Sequence, residues 1–126
     1  VCTTDDPADD LAHHLAIAKS GLKTRVYPTF RPDKALVVHQ PAVFNAWCTL
    51  LSQRSGVEVK DFASFLAAIK QRHDFFHSVG GRLSDHGLEA IPDVDCTERE
   101  ATAIFNAARS GAAATPDQLA KFTWFM

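Results

Sequence analysis

Three short strand-like runs are each followed by a polar loop and then by long helical periodicity, and this alternation limits the fold more than any other feature of the chain. Val1–Thr4 reads as the end of a strand, Thr24–Thr29 as a second strand and Arg82–Ser84 as a third. Strands that are separated by helices pair in parallel, because a parallel neighbour requires a crossover and a hairpin cannot supply one. The expected fold class is therefore α/β and helix-dominated, with about three short parallel strands. Pro28 has no N–H to give a ladder, so pairing is expected to end there.

The helices are marked by their caps. Asp6-Pro7-Ala8-Asp9 reads as a helix start with Asp6 as N-cap, followed by an apolar stripe of Leu11, Leu15, Ala18 and Leu22. A helix is expected over about 41–55, with Phe44, Trp47, Cys48 and Leu51 inward and Gly56 as its stop. The next should run from Asp61 to about Val79 on a face of Phe62, Phe65, Leu66, Ile69, His73 and Phe76. Thr97…Glu100 and Thr115…Gln118 are capping boxes opening two more helices; Leu119, Phe122 and Met126 form the apolar face of the last. Val1 in place of Met, and an apolar end at Trp124-Phe125-Met126, lead us to expect an internal piece of a longer protein.

Charge and composition exclude several classes of partner. The net charge is -2 and no basic cluster exceeds two residues, so neither a nucleic acid nor an anionic membrane finds an electrostatic footprint. No apolar run reaches the roughly 18 residues that span a bilayer. Cys2, Cys48 and Cys96 are few and far apart, which fits free thiols in a reducing cytoplasm.

Most of the polar chemistry sits on three strand-to-loop exits: Thr3-Thr4-Asp5-Asp6, Arg31-Pro32-Asp33 and Ser84-Asp85-His86-Gly87. In a parallel barrel these exits share one face, where active sites form. Arg31, stiffened by Pro32, suits bidentate carboxylate binding; the alternative is a surface arginine paired with Asp33. Asp85 and His86 offer a carboxylate beside an imidazole, suited to acid–base work near neutral pH; the alternative is a turn with a solvated histidine. Gly87 permits a sharp turn or close approach. His73-Asp74-Phe75-Phe76-His77 approximates a zinc-protease helix motif, but with Asp in place of Glu and no third ligand, and reads instead as packing and a helix-end pair.

Several of these segments, taken in order, resemble one family. Thr3-Thr4-Asp5-Asp6-Pro7, Arg31-Pro32-Asp33-Lys34-Ala35, Phe44-Asn45-Ala46-Trp47, Arg72-His73-Asp74-Phe75-Phe76-His77 and Gly81-Arg82-Leu83-Ser84-Asp85-His86-Gly87-Leu88 are similar to uronate isomerase (glucuronate isomerase) of the amidohydrolase superfamily. The resemblance implies a partial (β/α)8 TIM barrel, strands two to four, with residues 1–126 as a single internal fragment and helical insertions at 41–79 and 97–126. It implies an aldose–ketose isomerase of hexuronate catabolism that interconverts D-glucuronate with D-fructuronate and D-galacturonate with D-tagaturonate. Arg31 would then bind substrate at its carboxylate, and Asp85 and His86 would be catalytic, in proton handling or hydroxyl binding. The family's divalent metal, zinc, is held by His-x-His after strand one and Asp after strand eight, so no metal ligand carries over to this chain.

The partners so implied are a uronic acid and further copies of the enzyme in a cytoplasmic homo-oligomer. A typical barrel needs about 250 residues, so these residues alone are expected to be inactive. With unpaired sheet edges they are also expected to self-associate. The competing expectation is a non-catalytic helical assembly domain, which would leave Arg31, Asp85 and His86 scattered.

Overall fold

Helix α3 (Phe62–Ser78) is shared by two apolar clusters, and the rest of the chain is arranged around it. The computed structural model describes residues 1–126. The elements in order are α1 (Ala12–Lys19), β1 (Thr29–Phe30), a 3-10 turn (Asp33–Leu36), α2 (Pro41–Ser55), α3, β2 (Leu83–Ser84), α4 (Glu98–Arg109) and α5 (Pro116–Phe125). The architecture is a helix-rich α/β one with two short parallel strands.

The larger cluster is aromatic. Phe44 of α2, Phe65 of α3, Phe105 of α4 and Phe122 of α5 are wholly buried and, with Phe62, meet ring to ring at centroid distances of 5.0–6.3 Å. Each such ring contributes about 1.5–3 kcal/mol by leaving water. This explains how four helices close a core from so short a chain. Arg109 locks the periphery by donating to Asn45 Oδ1 at 2.7 Å and to the Val59 carbonyl at 3.1 Å. Cys48 lies inside, and burial pushes its thiol up to about 11, so it is an inert core residue. The smaller cluster joins Phe76, near the other end of α3, to Phe30 of β1 and Leu11.

The helix ends follow the sequence. Gly56 stops α2 in the left-handed conformation. Asp61, Thr97 and Thr115 each cap a helix, reciprocated by Ser64, Glu100 and Gln118. No helix is long and apolar enough to cross a membrane, and all three cysteines are unpaired thiols.

Four expectations need correction. The helix expected from Asp6 begins only at Ala12, after Leu11 turns left-handed at φ 55°. The carboxylates of Asp6, Asp9 and Asp10 instead accept the N–H groups of Ala8, Leu11 and Ala12 in local turns. The carbonyls of Pro7 and Asp9, which a helix would have used, go to Arg72 at 2.8 and 2.7 Å. The second correction concerns the α1 stripe, since Leu15, Ala18 and Leu22 are exposed and only Leu11 and His14 are buried.

The third is the inward face of α3, which carries Ala68 and Arg72 where Leu66 and His73 were expected; both of those are exposed. Arg72 is 4% exposed and also donates to the Arg54 carbonyl at 3.0 Å, while its guanidinium lies over the Phe75 ring. The fourth is Pro28, which does not end the pairing. Tyr27 bonds to Val1 and Thr3 on one side, and the β1–β2 ladder starts just past the proline with Thr29 opposite Leu83. The missing N–H falls on the β2 side, before that ladder opens. The first of the three expected strands is reduced to isolated parallel bridges, Cys2 to Tyr27 and Asp5 to Phe30.

Replacing Arg72 by Met should keep the side-chain volume yet leave three carbonyls without their donor. We expect a loss of about 3 kcal/mol in urea unfolding with an unchanged denaturant slope. Glu100 ties α4 to α5 through Lys121 Nζ at 2.6 Å; that bond and those from Thr97 lower its pKa from the ordinary 4.5 to about 2. A lowered carboxylate stabilises above its unfolded value and loses that effect as pH falls through the folded one. The unfolding temperature should therefore decline between about pH 4.5 and 2, and Glu100→Gln should remove part of that decline.

Candidate functional site

The register of the two strands decides what meets at their ends. Thr29 pairs with Leu83 and Phe30 with Ser84, so the next step sets Arg31 opposite Asp85. The Asp85 N–H donates to the Phe30 carbonyl at 3.2 Å, and Arg31 Nη2 donates to Asp85 Oδ2 as an ion pair across the strand ends. The side chains of both are about one-third exposed. Arg31 thus pairs with a residue 54 positions away and not with Asp33, its neighbour. The hydrogen bond from Arg31 holds the Asp85 carboxyl below the usual carboxylate range, and the same bond raises the Arg31 pKa.

On the other side of β1, the Arg31 N–H donates to the Asp5 carbonyl at 3.0 Å and the Asp5 N–H to the Thr29 carbonyl at 3.0 Å. The spatial order is therefore segment 1–5, β1, β2, all parallel, with the three loops leaving on one side. Asp5 and Arg31 line one open hollow of about 220 Å³ together with Thr4, Asp6, Asp33 and Lys34. His86 is not in it. It borders a smaller apolar hollow of about 130 Å³ with Pro32, Ile69, Leu88 and Met126.

Asp33 joins the two, and sequence reasoning did not see this role. Its Oδ2 accepts the Gly87 N–H at 2.9 Å and its Oδ1 lies 3.3 Å from His86 Nδ1. The signal was Gly87, where a Cβ would come within 2.9 Å of Asp33 Oδ2. Arg31 Nε, Asp33 Oδ1 and Asp85 Oδ1 are shielded from solvent and fill no hydrogen bond. For Asp33 Oδ1, the nearby His86 nitrogen is close enough for attraction but not aligned as a donor. Unfilled donor and acceptor capacity thus gathers at the ends of adjacent strands.

The largest hollow, about 440 Å³, lies elsewhere, between His73, His77 and the exposed edge of β2. It is a trough beside the outer edge of β2, which has no neighbouring strand and whose Leu83 is 59% exposed. His73 sits edge-on against Phe30 at 5.4 Å. No three His, Cys, Asp or Glu side chains come together to hold a metal ion. The donor set therefore does not fit the divalent metal implied by the resemblance.

A family model for glucuronate isomerase matches residues 1–126. The uronate isomerase of Opitutus terrae is 56% identical over 126 residues, which is 100% of this chain and 27% of that relative. The one from Bacteroides thetaiotaomicron is 47% identical over 122 residues, covering 97% of this chain and 26% of the relative. The crystal structure of uronate isomerase from Thermotoga maritima superposes with a TM-score of 0.92 at 30% identity, over 100% of this chain and 28% of that one. Glucuronate isomerase from Caulobacter crescentus gives 0.85 at 30% identity, over 98% and 25%. The chain thus spans about a quarter of the length of the relatives it matches.

Gly87→Ala should push a methyl group onto Asp33 and break the bond between the two loops. Hydrogen exchange at residue 87 should then speed up, while global stability falls by no more than about 1 kcal/mol because the contact is at the surface.

Proposed function

The chain belongs to the glucuronate isomerase family, and on that premise we propose that it supplies the substrate-carboxylate end of a uronate isomerase site. In this reading residues 1–126 are one internal portion of a (β/α)8 barrel, with 41–79 and 97–126 as helical insertions. The full enzyme is cytoplasmic, homo-oligomeric and zinc-dependent, and its metal is held by residues outside this portion.

The observation that carries the reading is the Arg31–Asp85 pair across the ends of parallel strands, with Arg31 lining an open hollow. Arg31 binds the uronate carboxylate. Its backbone is pinned by Asp5 on one side and followed by Pro32, so the guanidinium is mounted before substrate arrives. Asp85, with its lowered pKa, is a poor base at neutral pH and serves to hold Arg31. His86 is left to handle the proton that moves from C2 to C1 through a cis-enediolate, with Asp33 beside its Nδ1 orienting the ring.

The competing reading, a non-catalytic helical assembly domain, draws on the helical majority of the chain. Of the three residues it would leave scattered, Arg31 and Asp85 meet at one end of the sheet, which counts against it, while His86 borders a separate hollow.

The test is an exchange. These residues replace the matching 27% of the Opitutus terrae relative, and conversion of D-glucuronate to D-fructuronate is followed. Turnover should survive the exchange, and the 126 residues alone should show none. Arg31→Lys should raise KM by about 10- to 100-fold, since an ammonium cannot reproduce the fork that grips a carboxylate. A folded chimera without turnover, or an Arg31→Lys chimera with unchanged KM, would refute the proposal.

A further inference from the structure

α1 meets the rest of the molecule through a histidine. His14, at 8% exposed, is the one buried residue among its eight, whereas Leu15 is 40% exposed. A short surface helix ordinarily docks by aliphatic side chains, and burying an imidazole costs free energy unless its nitrogens are used. His14 Nε2 lies 2.7 Å from Thr3 Oγ1, and Thr3 Oγ1 lies 2.6 Å from Asp5 Oδ2. The Tyr27 carbonyl is the third neighbour of that hydroxyl, at 3.3 Å.

Counting protons sets the direction of this chain. Thr3 has one hydroxyl proton, and both Asp5 and the Tyr27 carbonyl only accept. His14 Nε2 must therefore carry a proton and donate it to Thr3, which donates to Asp5. The Asp5 backbone is fixed beside Arg31, Asp5 is one of the residues lining the 220 Å³ hollow, and the Thr3 hydroxyl engages its Oδ2.

We propose that His14 and Thr3 are positioning residues that aim the Asp5 carboxylate into the hollow beside Arg31, where it accepts a hydrogen bond from a hydroxyl of the bound sugar acid. The identity of that ligand rests on the function proposed above; the relay itself rests on geometry alone. The hollow then offers a polyhydroxy acid a cation for its carboxylate on β1 and a hydroxyl acceptor on the neighbouring segment.

Two arms test this. Nitrogen-15 spectra of His14 in this chain should show Nε2 protonated and Nδ1 bare in the neutral ring, and Thr3→Val should remove that preference. In the chimera, Asp5→Asn, His14→Leu and Thr3→Val should each raise KM for D-glucuronate about tenfold or more, with a much smaller change in kcat. Because His14 and Thr3 act in series, the double variant should lose no more than either single one. His14→Gln, whose amide still donates, should recover part of the loss. Unprotonated Nε2 in the neutral ring, additive losses, or losses that merely track unfolding temperature would overturn the proposal. If the unsubstituted chimera turned over no glucuronate, the functional reading would fall, and the relay would still stand or fall on the imidazole spectra.

Discussion

One buried guanidinium ties the loop before α1 to α2 and α3. Arg72 projects from α3 and closes on the carbonyls of Pro7 and Asp9 in the first turn and of Arg54 at the end of α2. Its pKa is lowered, first by burial and next by nearby Arg54, yet an arginine stays charged at any pH where a protein folds. A desolvated charge of this kind is tolerated only where acceptors surround it. Three carbonyls meet that need: those of Pro7 and Asp9 lie outside any helix or strand, and that of Arg54 is in the last turn of α2, where a helix leaves its carbonyls without partners. The arrangement fixes where the chain runs between segment 1–5 and α1.

From that fixed turn the site is assembled in steps. Asp6 accepts the Trp47 indole N–H at 2.8 Å and lies 3.3 Å from Lys34 Nζ, which anchors the first loop to α2 and to the 3-10 turn. The segment before it is then aligned with Tyr27, Thr29 and Arg31 by backbone bonds. Phe30 packs on Phe76 at 5.2 Å and seats β1 against the far end of α3. The helical core thus governs the strand ends through one shared helix, and the polar groups there inherit its rigidity.

The parts of this structure legible in the sequence are those decided by neighbours along the chain. Pro41 and Gly56, Asp61, Thr97 with Glu100, and Thr115 with Gln118 announce four helices because caps act within a few residues. The entry to α1 was not legible, since its carbonyls are captured by a side chain more than sixty positions away. Hydrophobic periodicity likewise passed over Arg72 and His14, the two polar helix residues that pack inward. Of the site, the three loops and Arg31, Asp85 and His86 could be read from motifs. The pairing of Arg31 with Asp85, the division of His86 from Asp5 and Arg31, and the bridging by Asp33 depend on strand register, which motifs do not contain.

Pro28 gives that register an error check. Sliding β1 along β2 by one two-residue repeat would carry the imide nitrogen into the ladder, opposite a carbonyl that needs a proton it does not have. The shifted pairing would forfeit a hydrogen bond and part Arg31 from Asp85 in the same movement. A residue usually regarded as an interruption here excludes the misaligned sheet, so the cation and its counter-ion are kept in phase by an imide that has nothing to donate.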